Sequence, residues 1–121
     1  LVGSEMCIRD SYTLHFYAAS HKKWLIGKAQ KALDNGIALI VTEWGSVKAD
    51  GGGNVDPEST KKWMGFMREN NLTHCNWSIN SKEEGASALK PNTDINGNWS
   101  PENLTISGKL AKQYIKSWNV K

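Results

Sequence analysis

Cysteine is scarce in this chain. Cys7 and Cys75 are the two present, and they form no spaced motif. Neither a disulfide framework nor a metal site is expected from them. Long hydrophobic runs are missing as well: nothing approaches the roughly 20 apolar residues that span a bilayer, so no membrane partner is expected. No excess of one charge dominates. The formal net charge is +3 and the lysines are dispersed along the chain, which argues against a nucleic-acid partner. No low-complexity tract, linker or sequence repeat divides the chain, and 121 residues suffice for one modest domain with a real core but not for two.

What is present points elsewhere. Hydrophobic residues at 39% and charged residues at 22% describe a globular protein. Six Trp and eleven Gly stand out. Trp at this density suits core packing and also flat stacking surfaces, for which sugar rings are one ligand. The stretch around which the chain is organised is Ile40-Val41-Thr42-Glu43-Trp44-Gly45. Ile37 to Thr42 is apolar and β-branched, so it reads as a short buried strand. A buried parallel strand tolerates no charge along its length, which places Glu43 where the strand emerges at its C-terminal end. In parallel α/β folds that end carries the active site, and Glu43 is the leading candidate for a catalytic residue.

The other segments alternate with helices. Tyr12 to Tyr17 is aromatic and β-branched and reads as a strand. Lys22 to Asn35 places Leu25, Ala29, Ala32 and Leu33 at helical spacing, with Ser20 as the cap before it and Asn35-Gly36 as the stop. A glycine-rich loop, Gly45 to Val55, follows the central strand. Asp56-Pro57-Glu58 then opens a helix: Asp suits the N-cap, Pro the first helical position and Glu the positive end of the dipole. Trp63, Phe66 and Met67 form its apolar face, and Asn70-Asn71 ends it. Thr73 to Ile79 is the third expected strand. A long polar connection, Asn80 to Asn103, leads to a last helix from Thr105 to Trp118 with Leu110, Ala111, Tyr114, Ile115 and Trp118 on its face. The order β-α-β-α-β-α implies a parallel sheet with right-handed helical crossovers.

Leu1 to Ser11 shows neither helical periodicity nor strand alternation nor the h-region of a signal peptide. It is expected to be a non-native leader, with the native domain running over residues 12–121. Sequons begin at Asn71, Asn76, Asn98 and Asn103, and Asn76 falls inside an expected strand.

Three motifs at the ends of the expected strands, His15-Phe16-Tyr17, Val41-Thr42-Glu43-Trp44-Gly45 and Asn76-Trp77-Ser78-Ile79, resemble strands six, seven and eight of a family 5 glycoside hydrolase. Within that family the chain is most similar to the bacterial-type endo-β-1,4-glucanases, the cellulases. The resemblance runs from about Tyr12 to the C-terminus. It implies an α/β fold, the C-terminal part (about strands 6–8 with their helices) of a (β/α)₈ TIM barrel, which as a whole needs about 250 residues.

The resemblance also implies chemistry. Retaining glycosidases use two carboxyl groups, a nucleophile and an acid/base. Glu43 would be the nucleophile, ionised while its partner is protonated. Tyr17 would donate a hydrogen bond to it. His15, two residues earlier on the same side of the strand, would bond sugar hydroxyls or the carboxylate network. Trp77 would stack on a sugar ring. Lys82 and Glu84 would bond a glucose unit on the non-reducing side of the cleavage point, and Ala49 would line the same subsite. The acid/base of this family is a Glu after Asn on the fourth strand, and no Asn-Glu pair occurs here. The chain alone is therefore expected to be inactive and marginally stable, with two open sheet edges. The expected partner is a β-glucan polysaccharide or oligosaccharide. No cofactor is implied, the full-length protein is expected to be monomeric, and the family implies secretion. The alternatives are a glucan-binding or inactive fragment, or a related hydrolase acting on mannan or xyloglucan.

Overall fold

The computed structural model describes residues 10–94 and 96–118. Cys7 and most of the expected leader lie outside the described residues. Ser11, the last residue of that leader, opens the first strand. The order is β1 (Ser11–Tyr17), α1 (Lys23–Asp34), β2 (Ala38–Gly45), α2 (Pro57–Glu69), β3 (His74–Asn76), a 3₁₀ turn (Pro101–Asn103) and α3 (Ile106–Lys116). The three strands form one parallel sheet in the order β1-β2-β3. Neighbouring strands that follow one another in sequence, each joined by a helix, are the arrangement of a barrel wall. A doubly wound sheet reverses its strand order.

The core lies on one face of this sheet. Phe16, Val41 and Trp44 are fully buried there and meet Ala29 of α1, Trp63, Met64, Phe66 and Met67 of α2, and Ala111 of α3. Phe16 and Trp63 stack with ring centroids 3.9 Å apart and planes 7° off parallel. Trp44, its partner across the ladder, lies near-parallel to Phe16 with centroids 6.1 Å apart. Trp44 and Trp63 are thus fully buried in the core, and Trp118 packs against it, half-buried. The opposite sheet face carries Thr13, His15 and Thr42, all exposed.

Helix α2 is built as its sequence requires. Asp56 is the N-cap, its side chain accepting from Ser59 N at 2.8 Å, and Pro57 begins the helix. Helix α1 departs from expectation. Its N-cap is Lys22, with no side-chain cap bond, and Ser20 Oγ instead accepts from Ala49 N at 3.0 Å. A tertiary contact between loops has taken the hydroxyl that would have capped the helix. Helix α3 starts after Thr105, which caps Gly108 N, and buries Ala111 while Ile115 stays exposed.

The third strand is shorter than the expected Thr73–Ile79. Its hydrogen bonds to β2 extend from Thr73 O, which accepts from Val41 N, to Trp77 N, which donates to Trp44 O. The Trp77–Ser78 peptide is cis. Beyond it Ser78 O accepts from Ala88 N, so the chain pairs with its own loop instead of β2.

Candidate active site

β2 also differs from a regular strand. Thr13 pairs with Ile40 but His15 pairs with Glu43, and Val41 pairs with His74 but Trp44 with Asn76. Against both neighbours β2 contains one extra residue, a β-bulge between Val41 and Trp44. Bulges re-aim side chains that strict alternation would send apart. Val41 and Trp44 consequently both face the helices, and Thr42 and Glu43 both face the open side.

There the predicted residues meet. The Tyr17 hydroxyl donates to Glu43 Oε1 at 2.7 Å. His15 Nδ1 lies 3.8 Å from Glu43 Oε2, and its Nε2 is hydrogen-bonded to Thr42 Oγ1 at 2.9 Å. Glu43 sits two residues before the C-terminal end of β2 and is 24% exposed, while His15 is 51% exposed. Burial pushes the Tyr17 phenol well above the ordinary range near 10. Its bond to Glu43 and the negative charges of Glu43 and Glu84 add to that shift. Tyr17 is therefore a protonated donor at any working pH. Its backbone N–H donates to His21 Nδ1 at 2.8 Å, which anchors the end of β1.

The remaining candidates surround this triad on the loops after the strands. Trp77 leaves β3 with 47% of its surface exposed. Lys82 is exposed, its backbone N–H donating to Asn80 Oδ1 at 2.9 Å. Glu84 is half-buried and accepts from Asn80 Nδ2 at 3.3 Å. Ala49 is exposed in the loop after β2, tied to Ser20 in the loop after β1. The loops after β2 and β3 are pressed together: a methyl group on Gly85 would come within 2.3 Å of Gly53 O, and Ala86 N donates to Gly51 O at 2.9 Å. Glu84 acts on Tyr17 through its charge, whereas among the described residues Lys82, Ala49 and Trp77 make no hydrogen bond to the triad.

Sequence reasoning missed Thr42 and Asn80. Asn80 uses its whole amide: Nδ2 reaches Ser78 Oγ and Glu84, and Oδ1 accepts from Lys82 N and Ser87 Oγ. A polar residue in a polar loop gives no signal for that. Thr42 could have been found only from the bulge, which leaves no mark in local sequence.

A parallel sheet wall with a tyrosine-held carboxylate at its C-terminal rim is the layout of a barrel glycosidase. The model of the Cellulase family (glycosyl hydrolase family 5) matches residues 9–83, more than half of the chain. The chain belongs to that family, whose fold is a TIM barrel. It is 50% identical over 111 residues to Endoglucanase Z of Dickeya dadantii (strain 3937), covering 92% of this chain and 24% of that protein. An endoglucanase of Clostridium saccharobutylicum is 39% identical over 108 residues, 89% of this chain and 24% of its own length. Among solved structures, the alkaline cellulase K catalytic domain aligns with a TM-score of 0.82 at 28% identity, over 92% of this chain and 38% of that one. The chain thus spans about a quarter of the length of these named relatives.

Proposed function

We propose that this chain is the nucleophile-bearing C-terminal part of the catalytic domain of a retaining endo-β-1,4-glucanase, with β1, β2 and β3 standing as the sixth, seventh and eighth strands of its barrel. The observation that carries this reading is the Tyr17 hydroxyl donating to Glu43 Oε1 at 2.7 Å on the C-terminal rim of a parallel sheet. A carboxylate held by one fixed donor keeps its other oxygen available for attack. Glu43 displaces the departing sugar from the anomeric carbon and forms a glycosyl ester, while the acid/base carboxyl protonates the departing oxygen. That carboxyl then takes a proton from water, which releases the sugar with retained configuration.

Trp77, half-exposed beside the rim, offers an indole face to a glucose ring. Lys82 and Glu84 bond the hydroxyls of a glucose unit on the non-reducing side, and Ala49 lines the same subsite. His15 reaches sugar hydroxyls from beside Glu43. The acid/base comes from the rest of the barrel, so the 121-residue chain by itself binds glucan at most and hydrolyses none. The substrate is a β-glucan too large to enter a cell, and the enzyme acts outside it.

Trapping tests the assignment. A catalytic domain that includes this chain is treated with a 2-deoxy-2-fluoro-cellobioside bearing a good leaving group, and its peptides are weighed. The expected adduct is on the peptide containing Glu43 and is absent in Glu43→Gln. An adduct on another residue, or full hydrolytic rate in Glu43→Gln, would reject Glu43 as the nucleophile.

A further inference from the structure

Tyr17 and Gly45 are directly opposite one another in the β1–β2 ladder. A methyl group built on Gly45 would lie 2.6 Å from Tyr17 Cδ1 and 2.7 Å from Cε1. Ordinary contact between carbon atoms is about 3.5–4.0 Å. The tyrosine ring therefore rests on the bare Cα of Gly45. Conformation does not explain this glycine. Among the described residues the glycines with positive φ are Gly36, Gly51, Gly53 and Gly97, and Gly45 is not among them. Its requirement is one of space.

The geometry shows why the space is needed. Gly45 follows Glu43 by two residues, so both face the same side of β2. To reach Glu43, the ring of Tyr17 must cross the sheet surface in front of Gly45. It has no other course, because Tyr17 is only 8% exposed and is walled in by Val47 and Ala86, with Val55 packed against them. The ring is rigid, so a displacement at Cδ1 and Cε1 is carried to the hydroxyl. A bond of 2.7 Å lengthened by about an ångström is no longer a hydrogen bond.

We propose that Gly45 is a positioning residue of the nucleophile: its missing side chain lets the Tyr17 ring lie against the sheet and aims the hydroxyl at Glu43. The proposal rests on the reading of Glu43 as the nucleophile and adds to it the reason for a glycine two residues later. A side chain at position 45 acts through Tyr17, not through the strand backbone.

The test reads the phenol itself. A catalytic domain that includes this chain is labelled at tyrosine ¹³Cζ and titrated with alkali by NMR, with Tyr17→Phe assigning the signal. In the unmodified chain the Tyr17 signal is expected to stay in its protonated position beyond the ordinary phenol range. In Gly45→Ala it is expected to titrate at a clearly lower pH than in the unmodified chain, because the bond to Glu43 is lost while burial still holds the phenol above its ordinary range. Retention of the unmodified titration in Gly45→Ala overturns the proposal and leaves Glu43 untouched. A Tyr17 that titrates as a free phenol in the unmodified chain removes the Tyr17–Glu43 bond itself, and the functional reading falls with it. Loss of fold in Gly45→Ala is resolved by melting Tyr17→Ala with and without Gly45→Ala. With the ring gone, the two are expected to melt within about 2 °C of each other. An equally large loss in that background would mean that Tyr17 is not what the methyl group meets, which also overturns the proposal.

Discussion

The phenol of Tyr17 is penalised as an anion by burial, by its bond to Glu43 and by the nearby charges of Glu43 and Glu84. It therefore keeps the proton that it donates to Glu43. Tyr17→Phe keeps the ring on Gly45 and removes only the donor. A hydrogen bond to a charged group contributes about 1.5–3 kcal/mol, which converts to about a 10- to 150-fold rate loss. In a catalytic domain carrying both carboxylates, Tyr17→Phe is expected to lower kcat within that range and leave the melting temperature nearly unchanged. An unchanged kcat would show that the bond is structural. Glu43-Trp44-Gly45 was visible in the sequence as an apolar strand meeting a carboxylate. Which side Thr42 takes was not, because the bulge in β2 moves it and strict alternation would place it opposite Glu43.

At the scale of elements, α2 was the most legible, since an N-cap acts within one turn of its own helix. Ser20 and β3 were less so: the Ser20 hydroxyl is claimed by a loop distant in sequence, and β3 is cut short by the pairing of Ser78 with Ala88. The caps and strands also set the response to pH. Asp56 is hydrogen-bonded by Lys22 and by Ser59 N–H, which hold its carboxyl below the ordinary range. A carboxyl lowered by folding contributes stability that is present above its unfolded pKa of about 3.9 and is lost as pH falls through the folded value. His74 is lowered by burial and by Arg68, and its Nδ1 accepts from Trp44 Nε1 at 3.0 Å. A lowered histidine binds fewer protons folded than unfolded, so stability falls with pH from about 6.5 down to the folded value. The urea midpoint is expected to decline from pH 7 to 5 through His74 and again below pH 4 through Asp56. His74→Gln should flatten the first decline, and Asp56→Ala should cost about 1 kcal/mol at pH 7. A midpoint that holds steady from pH 7 to 5 would contradict the part assigned to His74.

For the molecule as a whole, β1 and β3 are both sheet edges among the described residues. Beside the β3 edge runs a groove of about 790 Å³ lined by Leu72, His74, Ile79, Ile115 and Trp118. Tyr12, Ile79, Ile106 and Ile115 expose more than half of their surface. Unpaired edges next to apolar surface favour strand addition and association. The chain alone is expected to sediment with a weight-average mass that rises with concentration above 13.4 kDa, and to give a single species within a catalytic domain that includes it. A constant monomer mass up to millimolar concentration would show that the edges are protected. The sequence by itself determined the alternation of strands and helices, the cap of α2 and Glu43 as a candidate at a strand end, because those signals act over a few residues or along one strand. Tyr17 and His15 entered only through the family resemblance. Tertiary structure alone decided the bulge that turns Thr42 and Glu43 to one side, the tyrosine ring laid on Gly45 and the tie between Ser20 and Ala49. Each of these depends on the register and packing of segments far apart in the chain, and local pattern has no access to either.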